Sequence, residues 1–580
     1  MADFDGTDFS GEGVEAQFNI GEGGTYDITV TEADGDTRSY EVHSVVGIEP
    51  LQQYLLETAP GRLQSFDIVW DVEKERWYHL YPGQDLPPDD GLHWTGPYKN
   101  WNGRCAECHA TGFKKNYNPS TRGFASTQAE IGVGCEACHG PGSEHVDWAD
   151  GQGLAEDAND LGPKGFSASF DESEKTIQQC AGCHSRREAL GDGNPLPGTL
   201  YHDAYNLALL RPGLYHADGQ IQDEVYVYGS FLQSKMYARG VGCLNCHDAH
   251  TAELVADGNA VCTQCHSPAG NPAFPTLSGF EYDSAAHHFH APAGAGAECK
   301  NCHMIERTYM GIDGRRDHSF RIPRPDLAPI TGGPDACTDC HNDRDPAWAA
   351  ARVTEWFPES RNRGPHFGMV LARGRTDPAA ETGDLLALAA DEGQPGIVRA
   401  TAMWLLEIAS DGAAASALVP LLTDSDPVVR AAAIRLQRIA PHRERVSRLA
   451  GVLNDPVRTV RIAAAQALLD VSSTELGDGT TAALRAALDD WQRAIRNRLD
   501  FPETHLQNAG LALTQRNVPA AVRAFREVVT LDPQRVEAWS MLVRLAAATR
   551  GAEGARAVLD EALALNPEDE ELRSYDREIP

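Results

Sequence analysis

All fourteen cysteines of the chain fall into seven copies of one pattern, Cys-x-x-Cys-His. The copies are Cys105/Cys108/His109, Cys135/Cys138/His139, Cys180/Cys183/His184, Cys243/Cys246/His247, Cys262/Cys265/His266, Cys299/Cys302/His303 and Cys337/Cys340/His341. Two thiols at this spacing can both add to the vinyl groups of one porphyrin, while the adjacent imidazole reaches its iron as axial ligand. The pattern therefore predicts haem c, seven copies covalently attached, with the seven motif histidines as proximal ligands. Zinc knuckles also open with Cys-x-x-Cys, but they do not require a histidine directly after the second cysteine. With 21 His in 580 residues, the chance of finding one after all seven pairs is on the order of 10^-10.

Each iron needs a sixth ligand unless it binds substrate, and fourteen histidines lie outside the motifs. His250 stands three residues after His247, between two closely spaced motifs, and His145 follows the second motif in a similar way. His287, His288 and His290 cluster ahead of the sixth motif; one or two of them are expected to ligate, with His288 taken to represent the group. His318 ends Arg315-Arg316-Asp317-His318, whose arginines could pair with haem propionates. His79, His93 and His216 complete the distal candidates, with His202 also available. His43 reads as a strand surface residue and His442 and His505 as structural, while Met304 offers a softer ligand beside His303. No catalytic residue is assigned.

Charge and length bound the function classes. Residues 1–340 hold 22 Lys and Arg against 50 Asp and Glu, so that half carries most of the formal charge of -34. Such a field disfavours nucleic acid and anionic membrane surfaces and would steer a basic redox protein inward. No run of 18 apolar residues suggests a membrane span. Haem is ligated to such motifs outside the cytoplasmic membrane, so a periplasmic or extracellular location is expected, although Met1 opens on acidic sequence with no export signal.

The expected fold is multidomain α+β. Residues 1–100 form a small N-terminal β unit and lead-in loop, including a hairpin from Thr25–Thr31 and Arg38–Val46 and strands at Leu63–Trp70 and Arg76–Tyr81. Residues 101–345 form an irregular, mostly helical haem region, followed over 346–377 by a helix and a Gly-, Arg- and Pro-rich linker. Val398-Arg399, Val429-Arg430 and Val460-Arg461 then recur every 31 residues ahead of Ala-rich stretches, the mark of a helical solenoid over 378–488. A 34-residue period relates Ala521 to Ala555, Phe525 to Leu559 and Pro533 to Pro567 over 489–580. These two arrays resemble HEAT and tetratricopeptide repeats, packed into one helical arm.

Several strings resemble a large bacterial family of multihaem c-type cytochromes fused to helical repeats, among them Pro50-Leu51-Gln52-Gln53-Tyr54-Leu55, Leu92-His93-Trp94-Thr95-Gly96 and Gly134-Cys135-Glu136-Ala137-Cys138-His139-Gly140-Pro141-Gly142-Ser143. The haem region is similar to the tetrahaem cytochromes that take electrons from hydroxylamine oxidoreductase. The resemblance implies an electron carrier. It also implies a signal sequence and a further Cys-x-x-Cys-His segment ahead of the β unit, which would make eight haems and use one of the candidate ligands.

Three functions follow as expectations. The first is electron transport through a chain of haems, with redox protein partners docking on the helical repeats or the acidic haem lobe; removal of residues 378–580 would then leave the haem spectrum intact. The second is a haem-dependent oxidoreductase with one open iron acting on a small nitrogen or sulfur species. The third is a subunit of an extracellular cytochrome filament.

Overall fold

The computed structural model describes residues 2–84, 86–88, 90–151, 163–409 and 412–579. Its N-terminal unit is an antiparallel sheet of β1 (Thr7–Gly11), β2 (Val14–Ile20), β3 (Tyr26–Thr31), β4 (Thr37–Val46), β5 (Leu51–Ala59), β6 (Arg62–Ser65), β7 (Ile68–Asp71) and β8 (Arg76–His79). The order is β1-β2-β3-β4-β5-β7-β8, with β6 also paired to β5. Alternating apolar residues build it: Phe18 and Ile28 are opposite each other in the register and fully buried, and Trp77 stacks on Phe18 with centroids 3.6 Å apart. The expected β3–β4 hairpin forms around Gly35, whose φ of +86° suits glycine. The stretch Leu63–Trp70, expected as one strand, is two. Between them Asp67 turns inward to accept a 3.0 Å bond from Lys99, whose ammonium also sits 3.4 Å over the Tyr81 ring.

The haem region has little regular structure. Its motifs occupy single turns, such as Ala106–His109, Cys135–His139 and Cys299–His303, followed by hairpins as short as two residues per strand. One helical turn places positions i, i+3 and i+4 on a common face, which is what two cysteines and a histidine need to address one ring.

After helix Pro346–Trp356, capped by Asp345, the stretch expected as linker contains a helix at Phe367–Thr376. Its Gly- and Arg-rich sequence hides the reason, which is tertiary. Leu371 is fully buried, Gly374 leaves room for Leu385 and Leu405, and Arg375 donates to the carbonyls of Leu210 and Tyr215. His366 caps this helix through Nδ1, which accepts the Gly368 N–H at 3.0 Å. Burial, reinforced by Arg321, holds the His366 imidazole down at about 4. A capping His that stays neutral in the fold but protonates near pH 6.5 when unfolded contributes stability above about pH 6.5 that is lost as pH falls towards 4. His366→Asn, which keeps the cap without titrating, should flatten part of the acid loss in Tm measured across that window.

The 31-residue period has a structural cause. Val398, Val429 and Val460 are fully buried in helices Gly396–Ala409, Pro427–Leu436 and Arg458–Ala467. The arginine after each reaches the following unit: Arg399 to Asp424 at 2.8 Å, Arg430 to Asp455 at 2.9 Å and Arg461 to Asp490 at 3.2 Å. Arg430 and Asp455 are about nine-tenths buried. Removing one member of such a pair strands the other, so Arg430→Ala should cost about 3 kcal/mol in denaturant unfolding. Arg526→Ala, whose bond to Glu561 is exposed, should cost well under about 1 kcal/mol.

The tetratricopeptide-like period appears as helices Pro502–Thr514, Val518–Leu531 and Val536–Leu565, the last broken at Gly551, then Glu570–Glu578. Ala521, Ala555, Phe525, Leu559 and Trp539 form its core. Among the described residues no helix is long and apolar enough to cross a membrane.

The arm does not stand apart from the haem region, because Tyr201, Leu210, Tyr215 and Phe231 share a continuous apolar core with Leu385, Leu405, Val429 and Val460. Ion pairs fasten the next repeats to the first motif and its flank: Arg104 to Glu503, Lys115 to Asp500 and Arg122 to Glu527. Lys115 and Asp500 are both more than nine-tenths buried.

Candidate haem centres

Four motif histidines face a second imidazole. His139 and His250 are stacked with centroids 6.2 Å apart and planes 3° from parallel. His287 lies 6.2 Å from His303 at 9°, His318 lies 6.3 Å from His247 at 25°, and His290 lies 6.2 Å from His341 at 36°. This spacing is too wide for ring contact and too regular for accident. Two metal–imidazole bonds of about 2.0 Å each, with about 1.1 Å from each nitrogen to its ring centre, span about 6.2 Å. Each pair can therefore hold one iron between its nitrogens.

Hydrogen bonds fix which nitrogen is free. A ring N–H facing a backbone carbonyl must donate, leaving the other nitrogen with its lone pair. His303 Nδ1 donates to the Arg321 carbonyl at 2.7 Å and His318 Nδ1 to the Arg316 carbonyl at 2.9 Å. His290 Nδ1 donates to the His288 carbonyl. In all three the Nε2 lone pair is available. His288 is arranged oppositely, since its Nδ1 accepts the His290 backbone N–H at 3.1 Å, so its neutral ring carries the proton on Nε2.

The remaining candidates lie elsewhere. His79 Nδ1 accepts the Tyr81 N–H at 3.1 Å, and His93 is buried in the β unit between Glu32 and Thr95, 3.2 and 2.8 Å away. His216 sits in a turn beside Asp218, with its basicity lowered by burial. His202, deeper still, is held down at about 4. His145 lies closer to a motif: it donates from Nδ1 to the Lys164 carbonyl at 2.9 Å and stacks 4.0 Å from Phe166, whose ring is also 5.0 Å from that of His139. Among the described residues no second imidazole stacks opposite His109, His184 or His266. The Arg315 and Arg316 side chains, expected near propionates, are paired with Glu224, Asp313 and Glu306. Arg321 has its Nε buried without a hydrogen-bond partner beside the sixth motif. Its position after His318 in the same string was the available signal.

The cysteines fit covalent attachment. None is in a disulfide, and thiols of different motifs approach one another: Cys108 with Cys183, Cys180 with Cys243, and Cys262 with Cys299. Cys138 also lies within electrostatic reach of Cys180, Cys246 of Cys265, and Cys302 of both Cys337 and Cys340. By these approaches the first motif neighbours the third, the third the fourth, the fourth the fifth, the fifth the sixth and the sixth the seventh, while the second lies near the third and, through His139 and His250, near the fourth.

Cys340 departs from the enclosed attachment thiols, since it is exposed, as are Cys135 and Cys138, while the other eleven are partly covered. The reason is position: the second and seventh motifs end the succession, so no further motif packs over them. What fixes Cys340 is its own turn, in which the backbone N–H groups of Cys340 and His341 both donate to the Cys337 carbonyl, at 3.2 and 2.9 Å. As a cofactor-binding residue it depends on that turn and not on a closed pocket.

Large apolar side chains are left exposed beside the motifs, including Ile131 and Val133 before the second, Leu244 within the fourth and Phe289 ahead of the sixth. A porphyrin face is the apolar surface these positions call for. The donors oppose in pairs, and among the described residues no three His, Cys, Asp or Glu converge as a metal cluster.

Comparison with known proteins assigns the parts. The family of cytochrome c554 and c-prime matches residues 94–140, and the doubled CXXCH motif matches 236–271. HEAT repeats match 382–469 and a tetratricopeptide repeat matches 512–574. No curated protein matches the chain. Among solved structures, an outer cell wall cytochrome, OcwA, is similar at 18% identity over 64% of this chain and 86% of that one, with a TM-score of 0.37. The chain thus joins segments that match the cytochrome c554 and c-prime family and the doubled CXXCH motif to HEAT and tetratricopeptide repeats.

Proposed function

We propose that the protein carries electrons through seven haems attached at its seven motifs, outside the cytoplasmic membrane, and passes them between redox protein partners. The carrying observation is the set of four opposed imidazole pairs, 139/250, 247/318, 303/287 and 341/290. Haem c supplies a one-electron iron couple there. The chain's own residues do the rest. Carbonyls of Arg316, Arg321 and His288 hold three of the rings in the tautomer that keeps Nε2 aimed at a metal, and ligands so fixed need not move when charge changes. Thiol contacts of the first motif with the third, the third with the fourth and the fifth with the sixth support close spacing of those haems.

The test is a spectroelectrochemical titration of the holoprotein. Low-spin signals from at least four haems, reducing reversibly at constant coordination, are expected. High-spin signals from most haems would refute the reading.

A second reading, an oxidoreductase with an open iron, is favoured by one observation: among the described residues no imidazole stacks opposite His109, His184 or His266, although His247 lies near His184 and His303 near His266. At His109 the neighbouring charges are Glu224 and Arg315, groups able to orient a small polar substrate. Cyanide binding to no more than three haems, with turnover of a nitrogen or sulfur oxyanion, would support it.

A further inference from the structure

We infer that the second motif is the docking end for a basic redox protein, an inference that rests on the electron-carrier reading. The succession of motifs has three ends, and the structure treats them differently. The first motif is covered by the β unit and the repeats, through Ser65 against Cys105 and Arg104 bonded to Glu503. At the seventh, Cys340 is exposed, but the nearby acids are spent within the chain: Asp339 is bound by Arg307, Asp343 by Arg344, and Asp345 caps the following helix.

The second motif is different. From Arg122 to Lys164 the sequence contains no Lys or Arg. Glu130, Glu144, Asp147 and Asp150 are exposed around exposed Cys135 and Cys138, with Glu136 half-buried, and none of these five carboxylates is in an ion pair among the described residues. Glu144 and Asp147 lie on the short helix Ser143–Ala149 with Val146, which is 55% exposed, between them. One base approaches, Lys164, over the Trp148 ring. Unneutralised carboxylates with an apolar side chain at their centre, next to the opposed His139/His250 pair, complement a partner whose own haem edge is ringed by lysines. Such a field accelerates encounter and fixes orientation more than it adds affinity.

The experiment uses the full-length haem-loaded protein, reduced and mixed in stopped flow with oxidised mitochondrial-type cytochrome c, a basic monohaem protein, and separately with ferricyanide. Glu144→Lys/Asp147→Lys should slow cytochrome c reduction about tenfold at low ionic strength, and the difference should vanish near 1 M salt, where screening reaches about 3 Å. Ferricyanide reduction by the variant should not slow. Asp343→Lys/Glu355→Lys, placed by the seventh motif, should change the cytochrome c rate less than twofold. Equal slowing by both pairs, or a wild-type rate indifferent to salt, would overturn the assignment of the docking end while leaving electron carriage intact. Failure of the wild type to reduce even ferricyanide would instead overturn the reading on which it rests.

Discussion

Truncation after residue 377 is expected to yield a protein that cannot hold its haems, in place of a freestanding cytochrome with an unaltered spectrum. The cause is the shared core. Tyr201 and Tyr215 are 1% exposed and Leu210 is 0% exposed because HEAT-region side chains, among them Leu385, Leu405 and Val429, cover that side. Fully burying one such side chain is worth about 1.5–3 kcal/mol, and the net stability of a domain is only about 5–15 kcal/mol. Uncovering four or five of them is enough to unfold the segment that carries the third and fourth motifs. The same cut strands buried Lys115, whose ammonium is bound by Asp500 and the Asn497 carbonyl. The check is haem content per chain after identical maturation. Loss of most haem, with aggregation, is expected; a soluble truncated form with the full-length spectrum would contradict the shared core.

The second large effect concerns three neighbouring histidines that composition cannot rank. His287→Ala and His290→Ala should each convert one haem in seven to a form that binds carbon monoxide, because each removes the imidazole opposite a motif histidine. His288→Ala should leave the ligand-field spectrum close to wild type, since that ring presents Nε2–H and its Nδ1 is already used by the His290 backbone. Met substitution at 287 or 290 should restore six-coordination with a raised potential, as a thioether favours the reduced iron more than an imidazole does. A carbon monoxide response from His288→Ala equal to that from His287→Ala would remove the tautomer argument.

How far the sequence foretells this follows from the range of each interaction. The motifs are local, so five residues declare the cofactor. The β3–β4 hairpin is local too, and so is the Val-Arg period, because each valine stands at the same position of its own helix. The Phe367–Thr376 helix is not, because its reason for existing is Leu385 and the Leu210 carbonyl rather than its own composition. The opposed imidazoles divide the same way. His250 stands beside the fourth motif yet faces the second, 111 residues back at His139, and no spacing rule carries that information. Nor does the motif tell Cys340 from Cys302, which share one pattern but differ in how much of the chain covers them. His93, in a string rich in aromatic residues, is absorbed by Glu32 of the β unit, a partner 61 positions away. The shared core is not legible in the sequence because Tyr201, Leu210, Tyr215 and Phe231 are scattered singly through an irregular region, with no period to reveal them.

The most direct test of the account is a carbon monoxide difference spectrum of the dithionite-reduced holoprotein, scaled to the covalent haem content given by its intact mass. Seven haem additions are predicted, with at least four haems silent to carbon monoxide, as sixth ligands supplied by His250, His318, His287 and His290 would make them. Fewer than seven additions, or a response from more than three haems, would contradict it.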